Sequence, residues 1–303
     1  MHFRRSHVPR VAILLACTFT LPHAVLPAQA VPAGGSVPGS VRAQNLALNA
    51  VLGATTTALH AWIAGRPVRR ALVWGAAGGA LAGAGRQIVG SRGDFAGWSG
   101  RLVHEAGLGV ARYGVADTLE LPLHVGPLVA RWTPARRRLP SVRVNLANVL
   151  LTAALASAPS ARVDWGASAW SGGVVLRVSS EDLGAASGEE AWGGTLPGVI
   201  ALTDDLYATA TARQRRAVLA HETIHLLQFD AQHDWIGRPL EARLLRAGRI
   251  GRGLGRVVEL GIAGPLAVGL ATSGLPYERQ PAEREAWWLT SGRAAPRPGG
   301  TTR

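Results

Sequence analysis

The feature that most constrains this chain is the stretch 217–228, which reads AVLAHETIHLLQ. The spacing of its apolar residues predicts a helix that continues to about residue 229. Residues four apart lie one above the other on a helix, so His221 and His225 can direct two imidazole nitrogens at one ion. Glu222 projects from the neighbouring face. The stretch therefore predicts two metal ligands and an adjacent carboxylate on one helix.

This HExxH pattern is typical of zinc hydrolases. Leu219 and Leu226 are also apolar, so little of the helix after Arg216 is expected to face water. A buried, unpaired carboxylate costs several kcal/mol unless a metal or a hydrogen-bond donor compensates it. The alternative is a buried helix with two ordinary histidines, which explains the hydrophobicity but not why two histidines and a glutamate share so apolar a segment.

A catalytic zinc site usually has three protein ligands and one open position, so a third ligand is required. The metzincin pattern needs glycine at position 228 and histidine at position 231, where this chain has Gln228 and Ala231. That pattern is therefore excluded. The remaining downstream candidates share a side chain able to bind zinc, and they are His233, Glu241, Glu278, Glu283 and Glu285.

The stretch His221 to Gln228 resembles the gluzincins, and especially compact bacterial members with the pattern HExxHxxQ. In gluzincins the third ligand is a glutamate on a later helix, often within a Glu-x-x-Ala segment. Here Glu283 and Ala286 fit that segment, 283 − 225 = 58 residues after the second histidine. The resemblance thus implies zinc bound by both histidines and Glu283. The chain departs from the family at Trp287, where some gluzincins have an aspartate that supports one histidine.

The function implied by this resemblance is that of a zinc-dependent metallopeptidase acting on peptides or proteins. A zinc-activated water would attack the peptide carbonyl, with Glu222 as general base. Tyr277 and His233 are the candidates for stabilising the oxyanion. The alternative is a non-catalytic envelope scaffold protein that retains a zincin-like fold.

Residues 1–30 are predicted to be a signal peptide. They contain a basic start, an apolar stretch and a small-residue cleavage site, Ala28-Gln29-Ala30. We therefore expect an exported protein, periplasmic or associated with the outer envelope. The alternative is a lipoprotein anchored through Cys17, because Leu14 to Cys17 resembles a lipobox. Cys17 is the only cysteine, so cleavage after Ala30 would leave no disulfides.

The remaining chain predicts an α+β fold. We expect a linker at 31–40, a helical region at 41–117, a β-rich region at 118–202, a zincin-like catalytic region at 203–292 and a disordered tail at 293–303. The β-rich region offers five candidate strands, at 119–132, 142–156, 161–168, 173–178 and 198–202, of which 142–156 could instead be a helix. The segment 257–271 is predicted to be a bent buried helix.

The helical region is predicted to contain a hairpin whose second helix is rich in glycine. Gly75, Gly79 and Gly83 recur at four-residue spacing and would let another helix approach closely. The uncharged run at 71–85 is short for a membrane span, so a hairpin buried in a soluble protein is expected. A membrane-embedded hairpin is the alternative.

The net charge of +13 comes from arginine alone, because the chain has no lysine. No RNA-binding, zinc-finger or phosphate-loop pattern accompanies this charge, so nucleic acid is not an expected partner. A cationic exported protein can instead associate with an anionic membrane surface.

Overall fold

The structure is a computed structural model that describes residues 39–136, 139–187, 192–239, 241, 257–261, 263–272 and 280–290. The predicted signal peptide, Cys17, most of the predicted linker and the predicted tail lie outside these residues. The described helices are α1 (Gly39–Ala64), α2 (Val68–Gly90), α3 (Ala96–Ala116), α4 (Leu146–Ala156), α5 (Trp165–Ser171), α6 (Ser180–Ser187), α7 (Asp204–Thr209), α8 (Ala212–Gln232), α9 (Ala263–Thr272) and α10 (Pro281–Leu289).

Eight strands within the described residues form two mixed sheets. The strands are β1 (Leu121–Val125), β2 (Leu128–Trp132), β3 (Ser141–Asn145), β4 (Arg162–Val163), β5 (Val174–Val178), β6 (Gly193–Leu196), β7 (Val199–Thr203) and β8 (Val258–Glu259). Sheet A has the order β1-β2-β3-β8, and sheet B has the order β4-β5-β7-β6. The largest apolar core lies between sheet B and α8, and α10 adds Ala286 and Leu289 to it. This mixture of helices and sheets is compatible with the predicted α+β class.

Glycines bring the first three helices into close contact, which confirms the predicted packing and extends it. A Cβ at Gly79 would lie 2.1 Å from the carbonyl oxygen of Asn49 in α1, so only glycine allows this approach. A Cβ at Gly78 would lie 2.4 Å from the backbone nitrogen of Ala111 in α3. Because α2 carries glycines on two faces, it packs between α1 and α3 rather than in a simple hairpin.

The predicted linker extended to residue 40, but α1 already begins at Gly39. Among the described helices, α1 is the one long and apolar enough to cross a membrane, judged by length and composition alone. Core helices and signal sequences pass the same criterion. The glycine-rich α2 does not pass it, and its glycine faces contact protein.

Four sequence predictions change in the structure. The stretch 161–168, predicted as a strand, contains only the two-residue strand β4, and α5 begins at Trp165 with its first turn capped by the Asp164 side chain. The stretch 119–132 is a hairpin of two strands, because Gly126 takes a left-handed turn conformation with φ of 53°. The stretch 142–156 is strand β3 followed directly by α4, whose first turn is capped by the Asn145 side chain. The segment 257–271 was wrongly predicted as one bent buried helix. It contains β8, and α9 begins only at Ala263 and leaves Leu266 and Leu270 exposed.

A buried ion network joins α3, sheet A and the end of α8. Nδ1 of His124 lies 3.0 Å from both carboxylate oxygens of Glu105. The Arg101 guanidinium donates to Asp230 Oδ2 at 3.0 Å and to the His124 carbonyl oxygen at 2.9 Å. Burial alone would lower the pKa of His124, but the charges of Glu105 and Asp230 and the bond to Glu105 raise it to about 10.

We expect His124 to make stability depend on pH in the alkaline range. In an unfolded chain its pKa is about 6.5, so between about pH 6.5 and 10 only the folded protein holds this proton. The stabilisation is complete below pH 6.5 and decreases as pH rises, by at most about 1.4 kcal/mol per pH unit. Urea unfolding of wild type and His124→Gln between pH 6 and 10 measures it.

The matched control is His104→Gln. Burial, followed by the charge of Arg86, lowers the pKa of His104 to about 3, so this side chain is neutral in both states above pH 7.5. Its replacement should leave the alkaline slope unchanged. A slope that persists in His124→Gln would show that another group holds the proton.

Candidate metal centre

The helix α8 carries the HExxH residues and is held firmly at its start. Thr211 caps it by accepting a hydrogen bond from the backbone of Gln214, whose side chain bonds back to the Thr211 backbone. From Val218 to Gln228 each side chain is buried except that of His221, which is partly exposed. The expectation that little of this helix faces water is confirmed. His221 therefore lies where the buried helix meets an opening to solvent.

The helix α10 brings Glu283 to α8. Pro281 stands in its first turn, where a missing backbone N–H costs nothing. Its last residue, Leu289, lies against Gly90 of α2, where a Cβ would be 2.3 Å from the Leu289 carbonyl oxygen. The helix is thus clamped between α2 and α8, with Glu283 and Ala286 directed into the protein.

His221, His225 and Glu283 meet at one point. The two Nε2 atoms are 3.1 Å apart, and Glu283 Oε2 lies 3.4 Å from His221 Nε2 and 3.2 Å from His225 Nε2. Ligand atoms about 2.0–2.1 Å from a zinc ion at tetrahedral angles are about 3.3–3.4 Å apart. The triangle therefore has the dimensions of three ligands of one tetrahedral ion, and its His₂Glu donor set suits zinc.

The electrostatics of this cluster favour a cation. Burial opposes a positive charge on His225, but contacts with Glu283 and the nearby charge of Glu222 raise its pKa to about 8. Two carboxylates thus stabilise positive charge at the point where the imidazole nitrogens converge. A bound divalent ion would be stabilised by the same negative charges.

His225 is oriented by Gln228, one turn further along α8. The Gln228 Nε2 group donates to the Ala282 carbonyl oxygen at 3.1 Å and to Glu285 Oε2 at 2.8 Å. Both of those partners can only accept, so Gln228 Oε1 is the atom that faces His225 Nδ1, at 2.8 Å. His225 must donate from Nδ1, which leaves the lone pair of its neutral form on Nε2 for a metal.

Glu285 holds the Gln228 side chain in place. Its Oε1 accepts hydrogen bonds from Asn45 at 2.8 Å, Asn49 at 3.0 Å and Arg86 at 3.1 Å. Burial would raise the pKa of Glu285, but Arg86 and these donors lower it to about 2, so the carboxylate is charged. Through Gln228, the charged Glu285 links His225 to α1 and α2.

His221 is supported by packing instead. The Trp287 ring lies edge-on to the His221 ring, with centroids 5.4 Å apart and planes at 73°. Trp287 occupies the position where some gluzincins have an aspartate. Its indole fixes the orientation of His221 by shape, while Gln228 supplies the hydrogen bond to the other histidine.

Glu222 is held by Thr195 on β6, at one end of sheet B. The Thr195 hydroxyl lies 2.6 Å from Glu222 Oε2 and 3.1 Å from the Glu222 carbonyl oxygen. A hydroxyl has a single proton to donate, and the shorter contact assigns it to the carboxylate. No sequence signal pointed to Thr195, because the contact joins residues of two separate elements.

The other candidate ligands lie elsewhere or outside the described residues. His233 Nε2 is 2.8 Å from Glu259 Oε2. Glu241 accepts from the backbone nitrogens of Leu260 and Gly261. Glu285 contacts Gln228 and Arg86, as described above. Glu278 and Tyr277 fall outside the part of the chain that the structure describes.

A second group of potential metal ligands is fully buried. It consists of Glu105, His124 and Asp230. Arg101 Nη1 lies 3.0 Å from Asp230 and 3.5 Å from Glu105, and protonated His124 faces Glu105. The two carboxylates are therefore balanced by two cations of the protein, and this group does not fit a metal ion.

We expect Gln228→Met to weaken zinc binding about 10- to 100-fold, the usual effect of removing a hydrogen bond that orients a metal ligand. Methionine keeps the length of the side chain but cannot accept a hydrogen bond from His225. Competition with a fluorescent chelator measures the zinc affinity.

Gln232→Met is the matched control, because Gln232 lies one turn away on α8 and its Oε1 has no hydrogen-bond partner in the part of the chain that the structure describes. Its zinc affinity should equal that of wild type. Equal affinity for Gln228→Met and wild type would show that His225 needs no such support.

Comparison with known families agrees with this geometry. Residues 185–255 match the family model of peptidase family M48. The match covers β6 and the HExxH helix and ends before Glu283. No curated protein and no solved structure matches the chain significantly. The family match supports a metallopeptidase of the HExxH type, for which zinc is the expected metal.

Proposed function

We propose that the protein is a zinc metalloendopeptidase, similar to compact bacterial gluzincins. The observation that carries this proposal is the triangle of His221, His225 and Glu283, with edges of 3.1 to 3.4 Å, beside the buried Glu222. The M48 match supports the same class of enzyme. A peptidase implies peptide or protein substrates.

The residues divide the chemistry between them. Both histidines and Glu283 would hold the ion, which supplies Lewis acidity that makes water a stronger acid and polarises a carbonyl group. Glu222 is placed to accept a proton from water and to return it to the leaving amine. Thr195 donates to Glu222 Oε2, so Oε1 is the oxygen available for proton transfer. Burial of the site strengthens these interactions by excluding bulk water.

We further propose that the enzyme acts in the cell envelope. The basic start, the apolar stretch and the Ala28-Gln29-Ala30 site of the sequence support export. The mass of the mature protein recovered from the periplasm and from membranes tests this. Cleavage after Ala30 supports the proposal, a lipidated Cys17 supports the lipoprotein alternative, and an uncleaved cytoplasmic chain contradicts both.

Metal removal tests the enzymatic proposal. Purified protein is expected to contain about one zinc per chain and to cleave members of a peptide library. Chelation with 1,10-phenanthroline should abolish cleavage, and added zinc should restore it. Zinc without cleavage of any peptide would favour the scaffold alternative. A protein that binds no zinc would contradict the proposed site itself.

A further inference from the structure

The repeated glycines of α2 bring α1 close to the elements that carry the metal site. Gly79 and Gly83 face Asn49 of α1, and a Cβ at Gly83 would lie 3.0 Å from the Asn49 Cβ. A larger residue at either position would push α1 away from α2. At this close approach the short side chain of Asn49 reaches Glu285 of α10. The close packing therefore connects α1 to the helix that carries Glu283.

Two asparagines of α1 contribute to this connection. Asn45 is 0% exposed and Asn49 3%, although α1 is otherwise a largely apolar helix. They stand four residues apart, so they lie on the same face of the helix. Burying an amide is unfavourable unless its hydrogen bonds are made. Both side chains direct Nδ2 at one atom, Glu285 Oε1, at 2.8 Å from Asn45 and 3.0 Å from Asn49.

The orientation of each amide is fixed by a second partner. The Asn49 Oδ1 atom accepts from the Arg86 guanidinium, and the Asn45 Oδ1 atom accepts from Gln87 Nε2 at 3.2 Å. Both Nδ2 groups must therefore point to Glu285, because an amide oxygen cannot donate. Among the described residues, α1 supplies two of the three hydrogen bonds to Oε1, and Arg86 supplies the third.

The hydrogen bonds continue from Glu285 to the metal ligand without a gap. Glu285 Oε2 accepts from Gln228 Nε2 at 2.8 Å, and Gln228 Oε1 lies 2.8 Å from His225 Nδ1. Loss of the donors from α1 would let Glu285 rotate about its side-chain bonds. Gln228 would then lose one of the two acceptors that fix its amide, and His225 would be held less firmly.

We propose that Asn45 and Asn49 are positioning residues of the metal site, which orient His225 through Glu285 and Gln228. Both asparagines lie outside residues 185–255, the segment that matches peptidase family M48. The metal site of this protein would thus include a helix that the family match does not cover. This inference rests on the proposed zinc site.

Zinc affinity, measured on the full chain by competition with a fluorescent chelator, tests the proposal. The main variant is Asn45→Leu with Asn49→Leu, because leucine has a similar size but cannot donate a hydrogen bond. We expect it to bind zinc about tenfold more weakly than wild type, the lower end of the effect of removing a contact that orients a metal ligand.

A double-mutant cycle with Gln228→Met distinguishes positioning from a merely structural role. If the asparagines act on His225 through Gln228, the leucine substitutions should weaken zinc binding by less than about twofold in the Gln228→Met protein. A structural role alone predicts the same loss in both backgrounds, because the effects of independent sites add. Equal losses in the two backgrounds would therefore overturn the proposal.

The matched control is Thr56→Val, a change in the same helix. Thr56 is 9% exposed, and its hydroxyl donates to the Leu52 carbonyl oxygen at 2.7 Å. It lies about two turns after Asn49, and valine has the same shape as threonine. This variant should bind zinc as wild type does. A loss equal to that of the leucine variant would show that any change in α1 weakens the site, which contradicts specific positioning.

Asn45→Ser decides the question if the leucine variant does not fold. Serine keeps a polar group in α1, but its hydroxyl ends short of the Nδ2 position that contacts Glu285. Zinc binding should weaken about threefold, half of the tenfold effect on a free-energy scale, and again not in the Gln228→Met protein. Wild-type affinity in the asparagine variants would overturn this inference and leave the zinc site intact. A wild type that binds no zinc would overturn both.

Discussion

Replacing Glu222 with glutamine is expected to abolish peptide hydrolysis while leaving zinc bound. Glutamine keeps the shape of the side chain and can still accept the hydrogen bond from Thr195, but it cannot accept a proton from water. The loss of a general base should lower kcat/KM by a factor of about 10² to 10⁴. Initial rates on the best peptide of the library, with zinc content measured on the same sample, test the expectation.

Thr195→Val is the matched comparison for Glu222→Gln. It removes only the 2.6 Å contact that orients the carboxylate, so the rate should fall by less than in Glu222→Gln. If Glu222→Gln cleaves peptides as well as wild type, Glu222 is not the base and the proposed enzyme mechanism fails. If wild type and Glu222→Gln both bind zinc and neither cleaves any peptide, the scaffold alternative gains support.

Replacing Glu283 with glutamine is expected to prevent stoichiometric zinc binding. Its Oε2 is the third corner of the triangle, at 3.2 Å from His225 and 3.4 Å from His221. The loss of an anionic ligand should weaken zinc binding by more than the 10- to 100-fold that is typical of removing a hydrogen bond to a metal ligand. Equilibrium dialysis followed by metal analysis measures this.

Glu285→Gln is the control that distinguishes the two glutamates of α10. Glu285 lies on the same helix as Glu283, but its side chain points in another direction. Glutamine at position 285 keeps one acceptor oxygen, so it can still accept from either Asn45 or Gln228 but not from both, and the charge opposite Arg86 is lost. Zinc binding should weaken by at most about 100-fold and remain measurable. The reverse ranking of the two variants would identify Glu285 as the ligand and contradict the assignment of Glu283.

The choice between these two glutamates illustrates why the third ligand required the tertiary structure. Residues two apart on a helix point about 200° from each other, so only one of them can reach the point where the two histidines converge. The Glu-x-x-Ala segment favoured Glu283, but Glu278, Glu285 and His233 remained candidates. Which side of α10 faces the histidines depends on its contact with Gly90 and on the anchoring of Glu285 by Arg86.

The contacts that orient His225 and Glu222 were even harder to predict from the sequence. The three-residue spacing of His225 and Gln228 places them on one helix face, so their contact could have been predicted. Thr195 lies 27 residues before Glu222 in another element, and only the sheet order brings them together. Similarly, Arg131 of β2 is buried because it is paired with Asp234 and Glu259, which come from distant segments.

By itself, the sequence determined that two imidazoles and a carboxylate share one buried helix, because helical periodicity and four-residue spacing are local properties of the chain. It also determined that α2 would pack closely, since its glycines recur at helical spacing. Only the tertiary structure decided which carboxylate completes the triangle and what orients His225 and Glu222. Each of these depends on side chains from segments far apart in sequence, and their directions are set by how the helices and sheets pack together.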